Sequence, residues 1–228
     1  MPHPPTPATA RPVLDSPDSA VALVTTVPVG TPGGQRALAE AVASRGADPD
    51  AWPRGLTSFT VYVDNTGDTV LTYTQWSSEE SLAEARDGNG TDAAWPPGLD
   101  ALPGAGEPTA TPFRHYRAVA GTAPTDPAAL TESFPVAFFD TADEAAAKEW
   151  LDGLLTSEER SEGSDRAYPG AVAAHLHISL DGTKVLSFSE WLSEDQAVAH
   201  IEAVWAPVLK EFGGTGTLYR HVGTYLRP

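Results

Sequence analysis

Alternating and helical spacings of apolar residues follow one another along the chain in a recurring order. In the second half, residues 172–180 and 184–191 alternate in polarity around Asp181-Gly182, a dipeptide typical of a two-residue hairpin turn. Residues 141–156 carry apolar side chains at a spacing of three to four, which predicts a helix. Each half of the chain gives the order β-α-β-β-α-β, which is the ferredoxin-like arrangement.

The remaining predicted elements complete this order in both halves. The first half has predicted strands over 21–29, 59–63, 70–76 and 113–119, a predicted helix over 35–44 and a second predicted helix capped by Ser77 or Ser78. The second half has predicted strands over 134–139 and 218–226 and a predicted helix over 194–212, which Pro207 is expected to kink or break.

The two halves repeat each other at a fixed offset. Trp76 corresponds to Trp191 at 115 residues, and Val70-Leu71 corresponds to Val185-Leu186 at the same offset. The ends correspond at 106 residues, FRHY at 113–116 and YRHV at 219–222, so extra residues are expected within 89–112 of the first half. Repetition of this kind predicts two copies of one module. The predicted domains are a disordered tail over 1–18 and two ferredoxin-like repeats over 19–122 and 123–228.

The repeat also predicts how the chain buries its sheets. A ferredoxin-like sheet carries helices on one face only and must cover the other. The predicted fold class is therefore α+β, with two ferredoxin-like βαββαβ repeats packed sheet to sheet as an intramolecular dimeric-type α/β barrel. Because one chain supplies both sheets, we expect a monomer by internal duplication, with a homodimer as the alternative.

Composition narrows the classes of function. The 228 residues carry 14 Lys and Arg against 31 Asp and Glu, a net charge of −17, which disfavours binding to nucleic acid and to anionic membranes. The chain has no cysteine, which excludes disulfides, thiolate metal sites and a cysteine nucleophile. No apolar run reaches the roughly 18 residues of a membrane span, and the Pro-, Thr- and Ala-rich start lacks the apolar core of a signal peptide. We therefore predict a cytoplasmic protein.

Strand alternation sorts the side chains of the hairpins onto two faces. With the turn at Asp181-Gly182, Ile178 pairs with Val185 and Leu176 pairs with Ser187. The face of each tryptophan is then apolar with two hydroxyl groups, which fits either a core under helices or a pocket for a flat organic ligand. It comprises Ala174, Leu176, Ile178, Val185, Ser187, Ser189 and Trp191 in the second half, and Phe59, Val61, Val63, Val70, Thr72, Thr74 and Trp76 in the first.

The opposite face of the second hairpin carries His175, His177 and Glu190. Two imidazoles and a carboxylate form a ligand set for a transition metal. The same groups also serve as hydrogen-bonded side chains at a sheet interface or near its rim. The sequence favours this second interpretation, and we predict neither a metal nor another cofactor.

Two stretches of the sequence resemble a known family. Residues 70–80, VLTYTQWSSEE, and their counterparts at 185–195 are similar to the antibiotic biosynthesis monooxygenase family of dimeric α/β barrels. Pro169-Gly170 before the second strand and His200, nine residues after Trp191, add to the resemblance. The tandem arrangement resembles the two-copy members of that family.

The resemblance implies an enzyme that oxygenates a polycyclic aromatic polyketide intermediate, from an anthrone or phenol to a quinone, in secondary metabolism. The implied reaction needs no flavin, haem or metal, and its partners are a small hydrophobic aromatic substrate and O₂. Two alternatives stay open, a polyketide cyclase or isomerase with the same pocket and a non-catalytic protein that binds a hydrophobic metabolite. Thr72 and Ser187 stand where quinone-forming members carry an Asn.

The resemblance also implies roles for individual residues. Trp191 and Ser187 would donate hydrogen bonds to the substrate, and His200 or Arg220 would act as a base or stabilise an anion. The second repeat is expected to hold the working site, because it keeps His200 and has the shorter loop. The predicted substrate-binding residues of both repeats are Trp76, Thr72, Thr74, Arg86, Arg114, Leu176, Ile178 and Ser189.

Overall fold

The computed structural model describes residues 12–48, 52–87, 105–123, 131–160 and 170–227. The chain divides into two compact units, residues 1–113 with 219–228, and residues 114–218. The strands are β1 (Val21–Pro28), β2 (Leu56–Asp64), β3 (Thr69–Trp76), β4 (Thr109–Ala120), β5 (Phe134–Asp140), β6 (Ala171–Ser179), β7 (Lys184–Trp191) and β8 (Thr215–Leu226). The helices are α1 (Pro32–Gly46), α2 (Glu79–Asp87), α3 (Glu144–Arg160), α4 (Glu194–His200) and α5 (Ala206–Phe212), with a π turn (Ile201–Trp205) between the last two.

The first unit is an antiparallel sheet with strand order β4-β1-β3-β2-β8. The described part of this unit begins at residue 12, within the predicted tail over 1–18. Leu14 is buried, and its carbonyl oxygen accepts a hydrogen bond from the Tyr73 hydroxyl at 3.0 Å. Residues 1–11 of the predicted tail lie outside the described residues. Thr31 is the N-cap of helix α1, and its hydroxyl accepts a hydrogen bond from the Gly34 N–H.

The second unit contains the antiparallel strands β5, β7 and β6 in that order. Leu176 pairs with Ser187 and Ile178 with Val185, so the predicted hairpin register is confirmed. The chain after β4 lies beside β6, because the Gly121 N–H donates to the Val172 carbonyl at 2.8 Å. Helix α3 packs Ala147, Leu151 and Leu155 against the face formed by Leu176, Ile178 and Val185.

The last strand of each half of the sequence is divided between the units. Residues 114–120 of β4 belong to the second unit, whereas 219–226 of β8 pair with β2 in the first. The compact units therefore differ from the predicted ranges 19–122 and 123–228 by these end strands. Strand β6 begins 115 residues after β2, and β8 begins 106 residues after β4. Of the predicted insertion at 89–112, residues 89–104 lie outside the described residues.

The helix predicted over 194–212 is interrupted, as the proline in it indicated. α4 ends at His200, the π turn follows, and α5 carries Pro207 in its first turn. A proline has no N–H for the carbonyl four residues earlier, so a regular α-helix could not run through this point without losing a hydrogen bond. In the part of the chain that the structure describes, no helix is long and apolar enough to cross a membrane.

Candidate functional site

A cavity of about 400 Å³ lies in the second unit on the side of β6 and β7 that faces the helices. This volume is within the range of small-molecule sites, roughly 300–1,000 Å³. The strands contribute Ala171, Ala173, Ala174, Leu176, Ser189 and Trp191 to its lining. The helical segments contribute Leu154, Leu155, His200, Trp205 and Val208, and the end of β4 with the residues after it contributes 119–122.

An indole and an imidazole contact each other in the wall of this cavity. The ring centroids of Trp191 and His200 are 4.8 Å apart, with 34° between the ring planes. Trp191 ends β7, and Ser193 caps α4 by accepting a hydrogen bond from the Gln196 N–H at 3.3 Å. The short connection fixes where α4 begins and so places His200, at the end of that helix, beside the indole.

The indole N–H of Trp191 is directed at a neighbouring strand residue. It donates to the Ser189 hydroxyl at 3.2 Å. The first unit repeats the bond, since the Trp76 N–H donates to the Thr74 hydroxyl at 3.0 Å. The Trp191 N–H is therefore engaged in an internal hydrogen bond, and its role as a donor to the substrate stays a prediction. The Trp191 ring lines the cavity.

His200 is the titratable side chain among the described residues that line the cavity. Burial disfavours the imidazolium and lowers the pKa of His200 to about 4. At neutral pH the ring is therefore uncharged and can donate one hydrogen bond and accept another. Because none of the described lining residues is Lys, Arg, Asp or Glu, the cavity favours an uncharged ligand.

The structure brings some of the predicted site residues together and separates others. Trp191, His200, Leu176 and Ser189 line the cavity. Ser187 is buried on the same face but is not among the described lining residues, and neither is Ile178, which packs in the core under α3.

The two predicted arginines of the terminal strands are placed differently. Arg220 is exposed and belongs to the first unit, and Arg114 is exposed and belongs to the second. Neither is among the described lining residues of the cavity. The sequence repeat pairs each arginine with the tryptophan of its own half, but the last strand of each half crosses from one unit to the other.

The corresponding predicted residues of the first unit are buried. Trp76, Thr72 and Thr74 are each 0% exposed. Arg86 lies in the last turn of α2. The substrate-binding role of these four residues stays a prediction.

Sequence reasoning missed Trp205 and Val208. Both follow His200 on the interrupted helix and line the cavity. With about 100° of rotation per residue, an α-helix places residues 200 and 205 about 140° apart. Pro207 was the available signal, because it predicts an interruption of the helix near these residues.

On the other face of the second hairpin, histidines form a buried group with a carboxylate. The His175 Nε2–H donates to Glu190 Oε1 at 3.0 Å, and both side chains are buried. The ring of His115, on β4, lies 5.8 Å from that of His175 and 5.2 Å from that of His177. Burial, and then His115 and His175, hold the pKa of His177 well below its usual range. Within the described ranges, no three potential ligands are arranged to hold a metal ion.

Comparison with solved structures shows what this fold resembles. An anthrone oxidase-like protein has a TM-score of 0.71 and 18% identity over 94% of this chain and 96% of its own. A candidate monooxygenase from Fusobacterium nucleatum has a TM-score of 0.55 and 10% identity over 92% and 95%. Another, from Lactobacillus acidophilus, has a TM-score of 0.51 and 9% identity over 91% and 96%.

These likenesses concern the fold, since all three identities are below 25%. No family model and no curated protein sequence matches the chain. The predicted α+β fold class is confirmed, with ferredoxin-like β-α-β-β-α-β order in both halves and a fold like that of the anthrone oxidase-like protein.

Proposed function

We propose that this protein is a cofactor-independent monooxygenase that oxidises a flat, hydroxylated aromatic compound of the anthrone type. The observation that carries the proposal is the apolar cavity of about 400 Å³ with the Trp191–His200 ring pair in its wall. A three-ring aromatic compound is small enough for this volume and offers flat faces to both rings. The likeness in fold to an anthrone oxidase-like protein supports the same substrate class.

The proposed reaction balances without a cofactor. Anthrone and O₂ give anthraquinone and water. The C10 position loses a proton, and the resulting carbanion transfers an electron to O₂. Combination of the two radicals forms a C–O bond and a peroxide anion, which takes back a proton to give the hydroperoxide. Loss of water from the hydroperoxide leaves the second carbonyl. The protein must hold the substrate, keep bulk water away and favour loss of the first proton.

His200 is the group we propose for proton transfer. Its neutral imidazole can accept a hydrogen bond from a substrate hydroxyl, or the proton itself. A pKa of about 4 makes the ring a weak base in the empty cavity. A substrate anion beside the ring would raise that pKa, because an opposite charge favours the imidazolium. Trp191 would bind one face of the substrate.

A non-catalytic binding protein is the second candidate. The uncharged lining favours it, since no described lining residue is a cation that would stabilise a substrate anion. The indole N–H is also already bonded to Ser189. Such a protein would bind anthrone in the same cavity and leave it unchanged.

The two candidates are separated by oxygen uptake. Purified protein would be mixed with anthrone in chelator-treated buffer, and O₂ consumption and quinone absorbance would be followed against the uncatalysed rate. The monooxygenase predicts one O₂ consumed for each quinone formed. His200→Gln should lower the rate by about tenfold or more. A positioned acid–base group usually contributes about 10²–10⁴-fold to the rate.

His221→Gln is the matched control for this experiment. His221 lies in the first unit and hydrogen-bonds to the Thr224 hydroxyl at 2.8 Å, a bond that an amide can replace. Its rate should stay within about twofold of wild type. Tight binding of anthrone without O₂ uptake would select the binding protein, and conversion of a polyketide substrate without O₂ would select a cyclase or isomerase.

A further inference from the structure

The π turn changes which side chains of its helix point toward the cavity. In the turn, the Ala206 N–H bonds to the Ile201 carbonyl, five residues earlier. A turn closed by an i→i+5 bond rotates less per residue than an α-helix, so residues five apart lie closer to one face than the separation of about 140° in an α-helix. His200 precedes this turn and Trp205 ends it, and both line the cavity. Single π turns of this kind occur frequently at functional sites.

Trp205 also contacts an aromatic side chain of the core. Its ring centroid lies 5.7 Å from that of Phe139, on β5, and Phe139 lies 4.8 Å from Trp150, on α3. Phe139 is 2% exposed, so this support is part of the core. Trp205 therefore cannot move away from the cavity without leaving an aromatic contact. It is a fixed wall beside His200.

We propose that Trp205 is a specificity-determining residue that sets the size of the ring system the cavity admits. The proposal rests on the proposed function, because it takes this cavity as the substrate site. Trp205 acts through shape, because a smaller side chain at this position enlarges the cavity that Trp191 and His200 also line. The variant cavity should then accept wider aromatic ligands than the wild type does.

The test compares ligands of different width on matched variants. Dissociation constants of 2-naphthol, with two rings, and pyrene, with four, would be measured by fluorescence for wild type, Trp205→Leu and Trp150→Phe. Trp150 also contacts Phe139 but is not among the described lining residues, which makes it the control for general loosening of this core. The binding preference for pyrene over naphthol should rise about tenfold or more in Trp205→Leu and stay within about twofold in Trp150→Phe.

Trp191→Ala separates failure of this inference from failure of the proposed function. Suppose that Trp191→Ala weakens the binding of both ligands, and that Trp205→Leu leaves the ratio of the two dissociation constants unchanged. The role of Trp205 is then overturned and the cavity remains the site. If Trp191→Ala leaves both affinities unchanged, the cavity is not the site, and both proposals are overturned. Should Trp205→Leu fail to fold, Trp205→Phe keeps an aromatic contact to Phe139, and a ratio shift of about threefold or more is expected. An unchanged ratio there would equally overturn the inference.

Discussion

The indole N–H of Trp191 donates to the hydroxyl of Ser189, two residues earlier on the same strand, at 3.2 Å. Trp76 and Thr74 make the corresponding bond at 3.0 Å in the first unit. The first pair borders a cavity, whereas both members of the second pair are fully buried. Because the same bond occurs beside the cavity and in a fully buried pair, we infer that it orients the tryptophan ring.

This interpretation predicts different results for two substitutions of Trp191. Trp191→Phe keeps an aromatic face and removes the N–H, so affinity for N-phenyl-1-naphthylamine should stay within about threefold of wild type. Trp191→Ala removes the face, and the loss should reach about tenfold, equivalent to about 1.4 kcal/mol. Fluorescence titration of the probe measures both. Equal losses in the two variants would show that the N–H, not the ring, binds the ligand.

The buried tryptophan of the first unit should respond in stability. Trp76→Ala removes a side chain that is 0% exposed and should lower the free energy of unfolding by about 3–5 kcal/mol. Trp191→Ala should cost less, because Trp191 already borders empty space. Urea unfolding measures both values. A larger loss for Trp191 than for Trp76 would contradict the assignment of the cavity to the second unit.

The uncharged lining predicts selection by ligand charge. N-phenyl-1-naphthylamine and 8-anilinonaphthalene-1-sulfonate share their rings and differ by one sulfonate. The neutral probe should bind about tenfold tighter or more, because no described lining residue compensates the buried anion. His200→Lys would place a cation in the lining and should narrow this difference. Displacement by anthrone identifies the probe bound in the cavity, and equal affinities in wild type would reject the prediction.

Acid should destabilise the protein through its buried histidines. The pKa of His177 is lowered in the folded protein, so the unfolded chain binds more protons once the pH falls below about 6.5. The free energy of unfolding should therefore decrease from about pH 6.5 downward. His177→Gln should flatten this decrease, which urea unfolding at several pH values would show. If the free energy of unfolding falls equally steeply with pH in the variant and in wild type, the role of His177 is contradicted.

Two glycines provide a matched pair for backbone strain. Gly182 has φ +74°, and an added Cβ would lie 2.5 Å from the Glu144 nitrogen. Gly182→Ala should therefore lower the free energy of unfolding by about 1–3 kcal/mol. Gly153, in α3, has no atom within 4 Å of such a Cβ, and Gly153→Ala should raise stability by up to about 1 kcal/mol. Thermal unfolding distinguishes the two, and a neutral Gly182→Ala would argue against the turn geometry.

The register of the second hairpin could be predicted because the evidence for it is local. Asp181-Gly182 fixes the turn, and period-two alternation then assigns Leu176 and Ile178 to the face of Trp191. The interruption of the last helix was also predictable, because proline removes a specific backbone donor. Both features depend on residues close together in the sequence.

The cavity itself could not be predicted in this way. Alternation identifies a face but does not show whether helices fill the space above it. Ile178 is covered by α3, whereas Leu176, on the same face, also borders open volume. The placement of Arg114 and Arg220 was likewise beyond a repeat comparison, because their strands are shared between the units.

That sharing has a consequence for how the chain matures during synthesis. Strand β2 of the first unit pairs with 219–226, which are synthesised only after the whole of the second unit. The first unit therefore cannot close its sheet when most of its residues have been made. Until residues 219–226 are made, β2 presents an unpaired edge, and a nascent chain with such an edge is where chaperone protection would be needed most.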